Sequence, residues 1–253
     1  MTLLRSISIY LVTFLWALIF WPAALPVLAV AGCLPAERRR HWVRVVLLIF
    51  GRTTVRGAWR PFFKVEYRDL TGGIRTPGIV VANHRSAIDA FLVSMPNLSL
   101  AQTVNGWPLR LPVIGWVAKM AGYLNITEWD YETLMARVHG IFGTGDMIVS
   151  YPEGTRSESR TMNPFRSGIF KVAMELGVAL YPLCIAGNEH MPDRKFRFRE
   201  FRNLKVRFLA PIPAEEVRGS ASAYALKMKI FRLMNEELAS MDAELENERT
   251  LRT

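Results

Sequence analysis

The sequence predicts an α/β fold, a mainly parallel sheet flanked by helices, preceded by an N-terminal membrane-inserted helical segment. Two observations support this prediction. Residues 6–36 contain no charged side chain, and this length is sufficient to cross a bilayer. Beyond residue 63, short β-branched runs alternate with helix-compatible stretches, which is the pattern of strands and crossover helices in a parallel sheet.

The composition bounds the partners of this chain. Its 253 residues suffice for one good-sized domain, or for one domain with a small appendage. A net charge of +10 at pH 7 predicts an anionic partner, which leaves nucleic acid, phospholipid headgroups and phosphorylated substrates open. The two cysteines, Cys33 and Cys184, are too few for a disulfide framework or a thiolate metal site.

The uncharged N-terminal run has two readings. A cleaved signal peptide is one, because residues 29–31 resemble a cleavage site. Against it, the positive cluster at residues 38–40 follows the run, and only Arg5 precedes it. Positive charge marks the cytoplasmic side, so a retained segment at a bacterial-type inner membrane, with the following domain in the cytoplasm, is the favoured reading. Two prolines near the middle of the run leave a re-entrant hairpin and a single span open.

The next segment predicts an interfacial helix. Arg44, Arg52, Arg56 and Arg60 are separated by multiples of four and therefore form one helical stripe, here called the arginine stripe. Apolar residues lie beside it, so the helix suits an anionic membrane surface. The alternative is an ordinary helix with a solvated basic face.

The remaining residues predict the α/β unit. We divide the chain into a membrane-inserted and interfacial segment, residues 1–63, and an α/β domain with a C-terminal helix, residues 64–253. The charged tail, residues 221–248, is predicted to be a helix packed on the outside. The predicted strands are residues 64–67, 78–82, 98–103, 123–126, 147–151, 178–185 and 204–209. The predicted helices are residues 87–95, 113–120, 131–142 and 168–176.

A polar cluster follows the predicted strand at residues 78–82. His84 is the side chain most easily tuned for proton transfer near neutral pH, and Asp89 follows it by five residues. The spacing of Ser86 and Asp89 predicts a capping box, with Ser86 as the N-cap of the next helix. The loop bearing His84 would then fold over the first helical turn and bring the imidazole to Asp89. The alternative is a capped helix with a surface histidine.

A second polar cluster follows the predicted strand at residues 147–151. Pro152 ends the strand, Gly154 permits a tight turn, and Arg156 offers a planar fork suited to phosphate. Residues 166–168 then open a helix whose N-terminal amides favour an anion. In a parallel sheet both clusters face the same edge, where the chemistry of such sheets gathers. A turn with an incidental surface arginine is the alternative.

Together the two clusters resemble the glycerolipid acyltransferase family, most closely its 1-acylglycerol-3-phosphate acyltransferase branch. The resemblance rests on Asn83-His84 with Asp89, joined to the later stretch at residues 153–156. Residues 165–168 and the apolar strand containing Pro182 also resemble family blocks, and the similarity covers about residues 60–215.

The resemblance implies that His84 is a general base and that Asp89 orients its imidazole. It implies direct attack of a glycerol hydroxyl on an acyl thioester, with acyl-CoA or acyl-acyl carrier protein as donor and a lysophospholipid as acceptor. Neither a metal nor another cofactor is required. Arg156 would hold the acceptor phosphate, whereas Glu153 has an alternative role in holding the loop. The implied substrate-binding residues are Asn83, Arg85, Ser86, Glu153, Gly154, Thr155, Arg156 and Arg166.

One departure from the family pattern concerns the acceptor. Family members usually have an arginine between the two motifs that helps to hold the acceptor phosphate, but residues 122–128 contain none. Residues 105–110 likewise lack the lysine often found there. A lyso-ornithine lipid, or a lysophospholipid with a larger headgroup, is therefore an alternative acceptor.

Three other classes of protein compete with this interpretation. Basic and aromatic residues interleave at residues 194–207, a pattern that can serve single-stranded nucleic acid, although the uncharged N terminus favours a membrane. A non-catalytic membrane scaffold would have no need of an ionisable His84–Asp89 pair. A metal-dependent hydrolase is the third class, but its candidate ligands lack a recognised spacing; they are His84, Asp89, His139, Glu153 and His190.

Overall fold

A seven-stranded sheet in the order β1-β7-β6-β2-β5-β3-β4 forms the centre of the described chain. The structure is a computed structural model that describes residues 2–73, 76–106, 108–125, 130–193, 195–199 and 203–251. The strands are β1 (Val65–Asp69), β2 (Gly78–Ala82), β3 (Leu100–Val104), β4 (Leu124–Asn125), β5 (Met147–Ser150), β6 (Ala179–Ala186) and β7 (Leu204–Phe208).

The helices cover both faces of this sheet. They are α1 (Thr2–Gly32), α2 (Ala36–Thr53), α3 (Asp89–Leu92), α4 (Pro112–Ala121), α5 (Tyr131–Gly143), α6 (Gly168–Leu176), α7 (Ala214–Gly219) and α8 (Ala223–Thr250). A π-helical turn at Thr54–Ala58 extends α2, and a 3₁₀ turn at Pro108–Arg110 precedes α4.

The predicted fold class is confirmed, because the sheet is mainly parallel and flanked by helices. Only the β6–β7 pairing is antiparallel among the described strand pairs. Every residue of β2, β5, β6 and β7 is buried, and β2, β5 and β6 are accordingly almost entirely apolar. Residue 126, the end of one predicted strand, lies outside the described residues.

Two predicted helices differ from the structure. The helix expected at residues 87–95 is reduced to the single turn α3, which begins at Asp89. The C-terminal tail was expected on the outside, but α8 is a full layer of the fold. One side of α8 contributes six buried apolar residues to the core between this helix and the sheet; they are Leu226, Ile230, Met234, Leu238, Met241 and Leu245.

The N-terminal helices form an antiparallel hairpin that contacts the α/β domain. The hydroxyl of Ser6 accepts a hydrogen bond from the Phe198 amide at 2.9 Å. The indole N–H of Trp59 donates to the Thr13 hydroxyl at 2.8 Å. Helix α1 therefore contacts the domain at Ser6 and the π-helical turn at Thr13, while the outward side of the helix exposes large apolar residues. The segment Leu3–Gly32 is long and apolar enough to cross a membrane, judged by length and composition.

The predicted arginine stripe is wrong at Arg44. Its guanidinium is fully buried and lies 3.0 Å from Asp146 Oδ2. His41 Nδ1 contacts the other oxygen of Asp146 at 2.7 Å. A buried cation needs a paired acid, so these contacts fasten α2 to the start of β5. Arg52, Arg56 and Arg60 remain at least partly exposed.

The basic and aromatic stretch at residues 194–207 is not a continuous surface. Lys205 and Arg207 are nearly buried and pair with acids of α8, including Glu244. Phe198 is buried in the core beside α1. These contacts remove three members from the predicted nucleic-acid surface; residues 194 and 200–202 lie outside the described residues.

Candidate active site

The structure places His84 and Asp89 in direct contact at the carboxyl end of β2. His84 Nδ1 lies 2.8 Å from Asp89 Oδ2. Asp89 is fully buried, whereas about a quarter of the His84 side chain, 23%, is exposed. A partly exposed histidine in contact with a buried carboxylate has one ring nitrogen oriented by the protein. Its other ring nitrogen is available to a substrate group.

Asp89 is held by a loop that only partly resembles the predicted capping box. The Ser86 amide donates to Asp89 Oδ2 at 2.9 Å, which is the reciprocal half of such a box. The Ser86 hydroxyl, however, donates to the carbonyl of Met191, and Ile88 is the N-cap of α3. The assignment of Ser86 as N-cap is therefore wrong, because its hydroxyl is committed to a neighbouring loop.

Asn188 completes the surroundings of Asp89, and the sequence reasoning missed it. Its side-chain amide donates to Asp89 Oδ1, and the whole residue is buried. Asn188 follows Gly187, which adopts a φ of 91° just after the end of β6. A polar residue after a buried strand is the same signal that pointed to His84 and Glu153, so this rule would have found it.

Tyr151 fixes the imidazole from its ring face. The rings of His84 and Tyr151 stack at a centroid distance of 4.4 Å and an angle of 30°. The Tyr151 hydroxyl is buried and has no hydrogen-bond partner in the described part of the chain. Burial raises the pKa of this phenol well above its usual value, so it stays neutral. The sequence pattern indicates Tyr151 only as the last residue of a strand.

Glu153 joins the two sequence motifs. Its Oε1 accepts a hydrogen bond from the His84 amide at 2.7 Å, and its Oε2 accepts one from the Asn163 amide at 2.7 Å. Burial raises the pKa of this carboxyl to about 7. Because both oxygens bind backbone amides and the side chain is buried, Glu153 holds the loop, as its alternative reading proposed. Its placement in the acceptor pocket is thereby corrected.

Two further residues assigned to substrate binding have structural contacts instead. The Asn83 side chain bridges β2 to β6, donating to the Ile185 carbonyl at 2.9 Å and accepting from its amide at 2.7 Å. The Arg85 guanidinium forms two hydrogen bonds to the carboxylate of Asp242, at 2.8 and 2.7 Å. Both side chains are fully buried and have no surface for a lipid headgroup.

Ser86 is corrected for the same reason, since it is buried and its hydroxyl is already engaged. A serine hydroxyl that contacts a substrate must have an exposed oxygen. The buried residues Asn83, Arg85 and Ser86 thus hold His84 in place. Of these four residues, His84 is the one whose side chain is partly exposed.

The second motif supplies the exposed part of the site. Gly154 has a φ of 72°, and an added Cβ would meet the Arg166 guanidinium carbon at 2.7 Å. Thr155 and Arg166 are exposed, and Arg156 is half-buried. Neither Arg156 nor Arg166 pairs with an acid among the described residues. Two uncompensated guanidinium groups beside His84's loop suit an anionic group of a substrate.

The stretch that departs from the family pattern reaches this loop. The Asn105 side chain donates to the Gly154 carbonyl at 3.1 Å, so the segment lacking the expected lysine contacts the second motif. Residues 126–128 of the other departing stretch lie outside the described residues. The amide of Asn105 helps to shape the site and contributes no charge there.

The residues considered for a metal site do not come together as a ligand set. Within the described ranges, no three His, Cys, Asp or Glu side chains are grouped so that they could hold a metal ion. His139 is exposed on α5, and His190 follows Asn188 in the loop after β6.

Comparison with known proteins agrees with this geometry. The sequence profile of the Acyltransferase family matches residues 64–186. A protein named 1-acyl-sn-glycerol-3-phosphate acyltransferase LPAT1, chloroplastic, from Arabidopsis thaliana is 27% identical over 158 residues, 60% of this chain and 44% of that protein. The 1-acyl-sn-glycerol-3-phosphate acyltransferase of Salmonella typhimurium is 27% identical over 177 residues, 66% of this chain and 69% of its own length. The match to the plant protein thus spans less than half of that relative.

A solved structure shows the same fold. The 1-acyl-sn-glycerophosphate (LPA) acyltransferase PlsC from Thermotoga maritima superposes with a TM-score of 0.75 at 18% identity, covering 95% of this chain and 97% of that one. Its likeness extends over the N-terminal hairpin as well as the α/β domain. Over residues 64–186, which hold both sequence motifs joined at one sheet edge, the chain is similar to the Acyltransferase family, and the relatives named above are 1-acyl-sn-glycerol-3-phosphate acyltransferases.

Proposed function

We propose that this chain is a membrane-bound O-acyltransferase that moves a fatty acyl chain from a thioester to the free hydroxyl of a lysophospholipid. The first candidate acceptor is 1-acylglycerol-3-phosphate, which would give phosphatidic acid. The observation that supports this proposal most directly is the His84–Asp89 contact of 2.8 Å, beside two arginines without acid partners. The donor is acyl-CoA or acyl-acyl carrier protein.

The proposed reaction uses the nitrogen of His84 that Asp89 does not hold. With Nδ1–H donating to Asp89, the lone pair on Nε2 accepts the proton of the lipid hydroxyl. The hydroxyl oxygen attacks the thioester carbonyl carbon, the carbon–sulfur bond breaks, and the departing sulfur takes the proton from the imidazolium. One histidine carries the proton from the hydroxyl to the departing sulfur. Because the hydroxyl attacks the thioester directly, no covalent enzyme intermediate is needed.

Asp89 is prepared for the charged step. Its carboxylate accepts hydrogen bonds from the Ser86 amide and the Asn188 side chain, and it lies against His84. A carboxylate with fixed donors cannot turn away when the imidazole becomes positive, and it stabilises that cation without reorganisation. Asn188 and Tyr151 are therefore positioning residues in this proposal.

The acceptor site is proposed around the exposed second motif. Arg156 and Arg166 would bind the anionic group, with Gly154 and Thr155 bordering it. Asn105 in place of a lysine lowers the positive charge of this region, which keeps a lyso-ornithine lipid or a larger lysophospholipid as alternative acceptors. A panel of acceptors distinguishes them.

The N-terminal hairpin is proposed to anchor the chain in one leaflet of a bacterial-type inner membrane, with the catalytic domain in the cytoplasm. Helix α1 contacts the domain or α2 from Ser6 to Trp21, where the Trp21 and Phe50 rings lie 5.4 Å apart. A helix held by the domain at Ser6 and by α2 farther along has its outward apolar side left for lipid. This favours insertion parallel to the membrane over a span that leaves the domain.

One experiment tests the activity directly. The purified full chain is incubated with labelled acyl-CoA or acyl-acyl carrier protein and a panel of lyso-lipids, and the products are identified by mass spectrometry. We expect a labelled diacyl product with at least one acceptor. Release of free fatty acid only, abolished by a chelator, would instead support the metal-dependent hydrolase and overturn the proposal.

The role of Arg156 has its own test. Arg156→Lys keeps the charge and loses the planar fork, so transfer to a phosphorylated acceptor should fall by about tenfold, the scale of one charge-assisted hydrogen bond. The loss should shrink with monoacylglycerol, which has no phosphate. Arg160→Lys is the matched control, because Arg160 is already paired with Glu189 and Glu246 and should leave the rates near wild type. Equal losses on both acceptors would give Arg156 a structural role.

Membrane anchoring is tested by placing charge on the outer side of α1. Phe14 and Leu18 are 60% and 55% exposed, and Phe14→Glu with Leu18→Glu should move the chain to the soluble fraction. Each carboxylate in the bilayer core costs about 3 kcal/mol. Leu233→Glu on α8 is the control and should stay with the membrane. The wild-type chain should resist a high-salt wash; its release, or a mature N terminus at Gly32, would contradict the anchor.

A further inference from the structure

A second pocket lies outside the His84 site, between the π-helical turn and the edge strand β1. Its volume is about 480 Å³. Three cations, Arg56, Arg60 and Lys64, form its rim, and all three are exposed. The buried side chains of Phe63 and Met95 line it from the protein side. The pocket thus combines a basic rim with an apolar interior.

The charge of this pocket is not compensated by the protein. None of the three rim cations pairs with an acid in the described part of the chain. Glu66 lies two residues after Lys64, but its carboxylate is engaged elsewhere, by Arg68 at 2.6 Å and Lys205 at 3.4 Å, on the face of β1 opposite to Tyr67. Arg52 lies nearby, and its pKa is lowered by burial and then by the positive charge of Arg56. The pocket therefore has a positive potential that an anion would relieve.

A neutral donor also faces this space. The Tyr67 hydroxyl is buried and has no hydrogen-bond partner among the described residues. Burial, and then the nearby Asp69 carboxylate, raise the pKa of this phenol, so it keeps its proton and can donate it to a ligand oxygen. Because no hydrogen bond of normal length is formed to Asp69, a phosphate oxygen in the pocket could accept this proton.

The local backbone is unusual at the same place. The Trp59 amide donates to the Thr54 carbonyl at 2.9 Å, which is the wider spacing of a π-helix. Such turns are rare and frequently occur at functional sites. Trp59, which caps this turn, donates to Thr13 of α1, so the π-helical turn that lines the pocket also contacts the apolar anchor helix.

We propose that this pocket binds the phosphate headgroup of one anionic phospholipid, which is a bystander lipid of the membrane and not the acyl acceptor. Arg56, Arg60 and Lys64 would contact the phosphate oxygens, and Tyr67 would donate to one of them. The apolar interior and the neighbouring anchor helix favour a lipid over free phosphate. This inference rests on the proposed membrane seating and is independent of acyl transfer.

The strand directions give this site a consequence for the enzyme. Strand β1 is parallel to β7, β7 is antiparallel to β6, and β6 is parallel to β2. The start of β1 therefore lies at the same sheet edge as the end of β2, where His84 follows. A lipid held beside Lys64 would fix the tilt of that edge against the membrane.

The test measures binding without turnover. The full chain carrying His84→Ala, in neutral detergent, is titrated calorimetrically with dihexanoyl-phosphatidylglycerol. We expect saturable binding of one lipid per chain. Adding Arg56→Gln and Arg60→Gln should weaken it by about tenfold or more, and adding Tyr67→Phe should weaken it severalfold. The matched control, Lys227→Gln with Arg232→Gln on α8, removes the same charge from the other side of the sheet and should bind as the parent does.

Each other outcome overturns the assignment. Retention of full affinity by the Arg56→Gln, Arg60→Gln chain would remove the pocket from lipid binding. An equal loss in the α8 control would mean that only net charge matters. Competition by inorganic phosphate as strong as by the lipid would assign the site to a free anion, and displacement by coenzyme A would assign it to the acyl donor. Failure here leaves the acyl-transfer assay untouched, because that assay uses the unsubstituted chain.

Discussion

Replacing His84 with alanine is expected to lower acyl transfer by about 10²- to 10⁴-fold, the usual contribution of general-base catalysis. The reason is geometric: in the proposed mechanism, the only group that removes the hydroxyl proton is the free nitrogen of this imidazole. Initial rates with a labelled donor, at saturating acceptor, measure the change.

The His84 variant should remain folded. The backbone amide of His84 still donates to Glu153, and the loop is still tied through the Ser157 amide to the His84 carbonyl at 2.8 Å. Circular dichroism and an unchanged unfolding temperature would verify this. The matched control is His139→Ala, an exposed histidine on α5, which should transfer acyl chains at the wild-type rate. A well-folded His84→Ala chain with near wild-type turnover would refute the mechanism.

Replacing Asp89 with asparagine is expected to lower the turnover number by about two orders of magnitude or more, with little change in the KM for either substrate. The change preserves the volume and removes the charge. An amide at this place must direct its NH₂ group either at the Ser86 and His84 N–H groups, which share Oδ2, or at the Asn188 side-chain amide, which donates to Oδ1. The imidazole then loses its orientation, and the cation formed in the reaction loses its counter-charge.

A second His–Asp contact in the molecule provides the control for Asp89. Asp146 is buried and binds His41 Nδ1 at 2.7 Å, but it lies at the start of β5, away from the catalytic edge. Asp146→Asn should lower the free energy of unfolding by about 3–5 kcal/mol, because it leaves Arg44 buried without its acid. Its folded fraction should keep the wild-type turnover number. If Asp146→Asn and Asp89→Asn had the same effect on turnover, Asp89 would be a residue of stability alone.

The sheet could be predicted because its signal is local. Gly78–Ala82 and Met147–Ser150 are short apolar runs that end in polar clusters, and each lies in the structure where the pattern placed it. Since parallel strands share one carboxyl edge, the same pattern also indicated that His84 and Glu153 would be neighbours. Their amide–carboxylate hydrogen bond of 2.7 Å is the contact that follows from this rule.

The roles of the residues beside His84 could not be predicted from local sequence patterns. Arg85 is of a residue type that often binds phosphate, yet it is buried against Asp242, which is far away in sequence on α8. Arg44 has the spacing of an interfacial stripe, yet it is buried against Asp146. In both cases the partner belongs to another element, so no local pattern distinguishes the buried arginine from an exposed one.

By itself the sequence determined the class of fold, the strand ends at which the chemistry lies, and the apolar length of α1. These properties depend on side-chain periodicity and charge along a few neighbouring residues. Tertiary structure decided which polar groups are exposed. It buried Asn83, Arg85, Ser86 and Glu153 as supports, and it left His84 open. Burial depends on which distant segments pack together, and a buried polar group is stable only where such a segment supplies its hydrogen-bond partner.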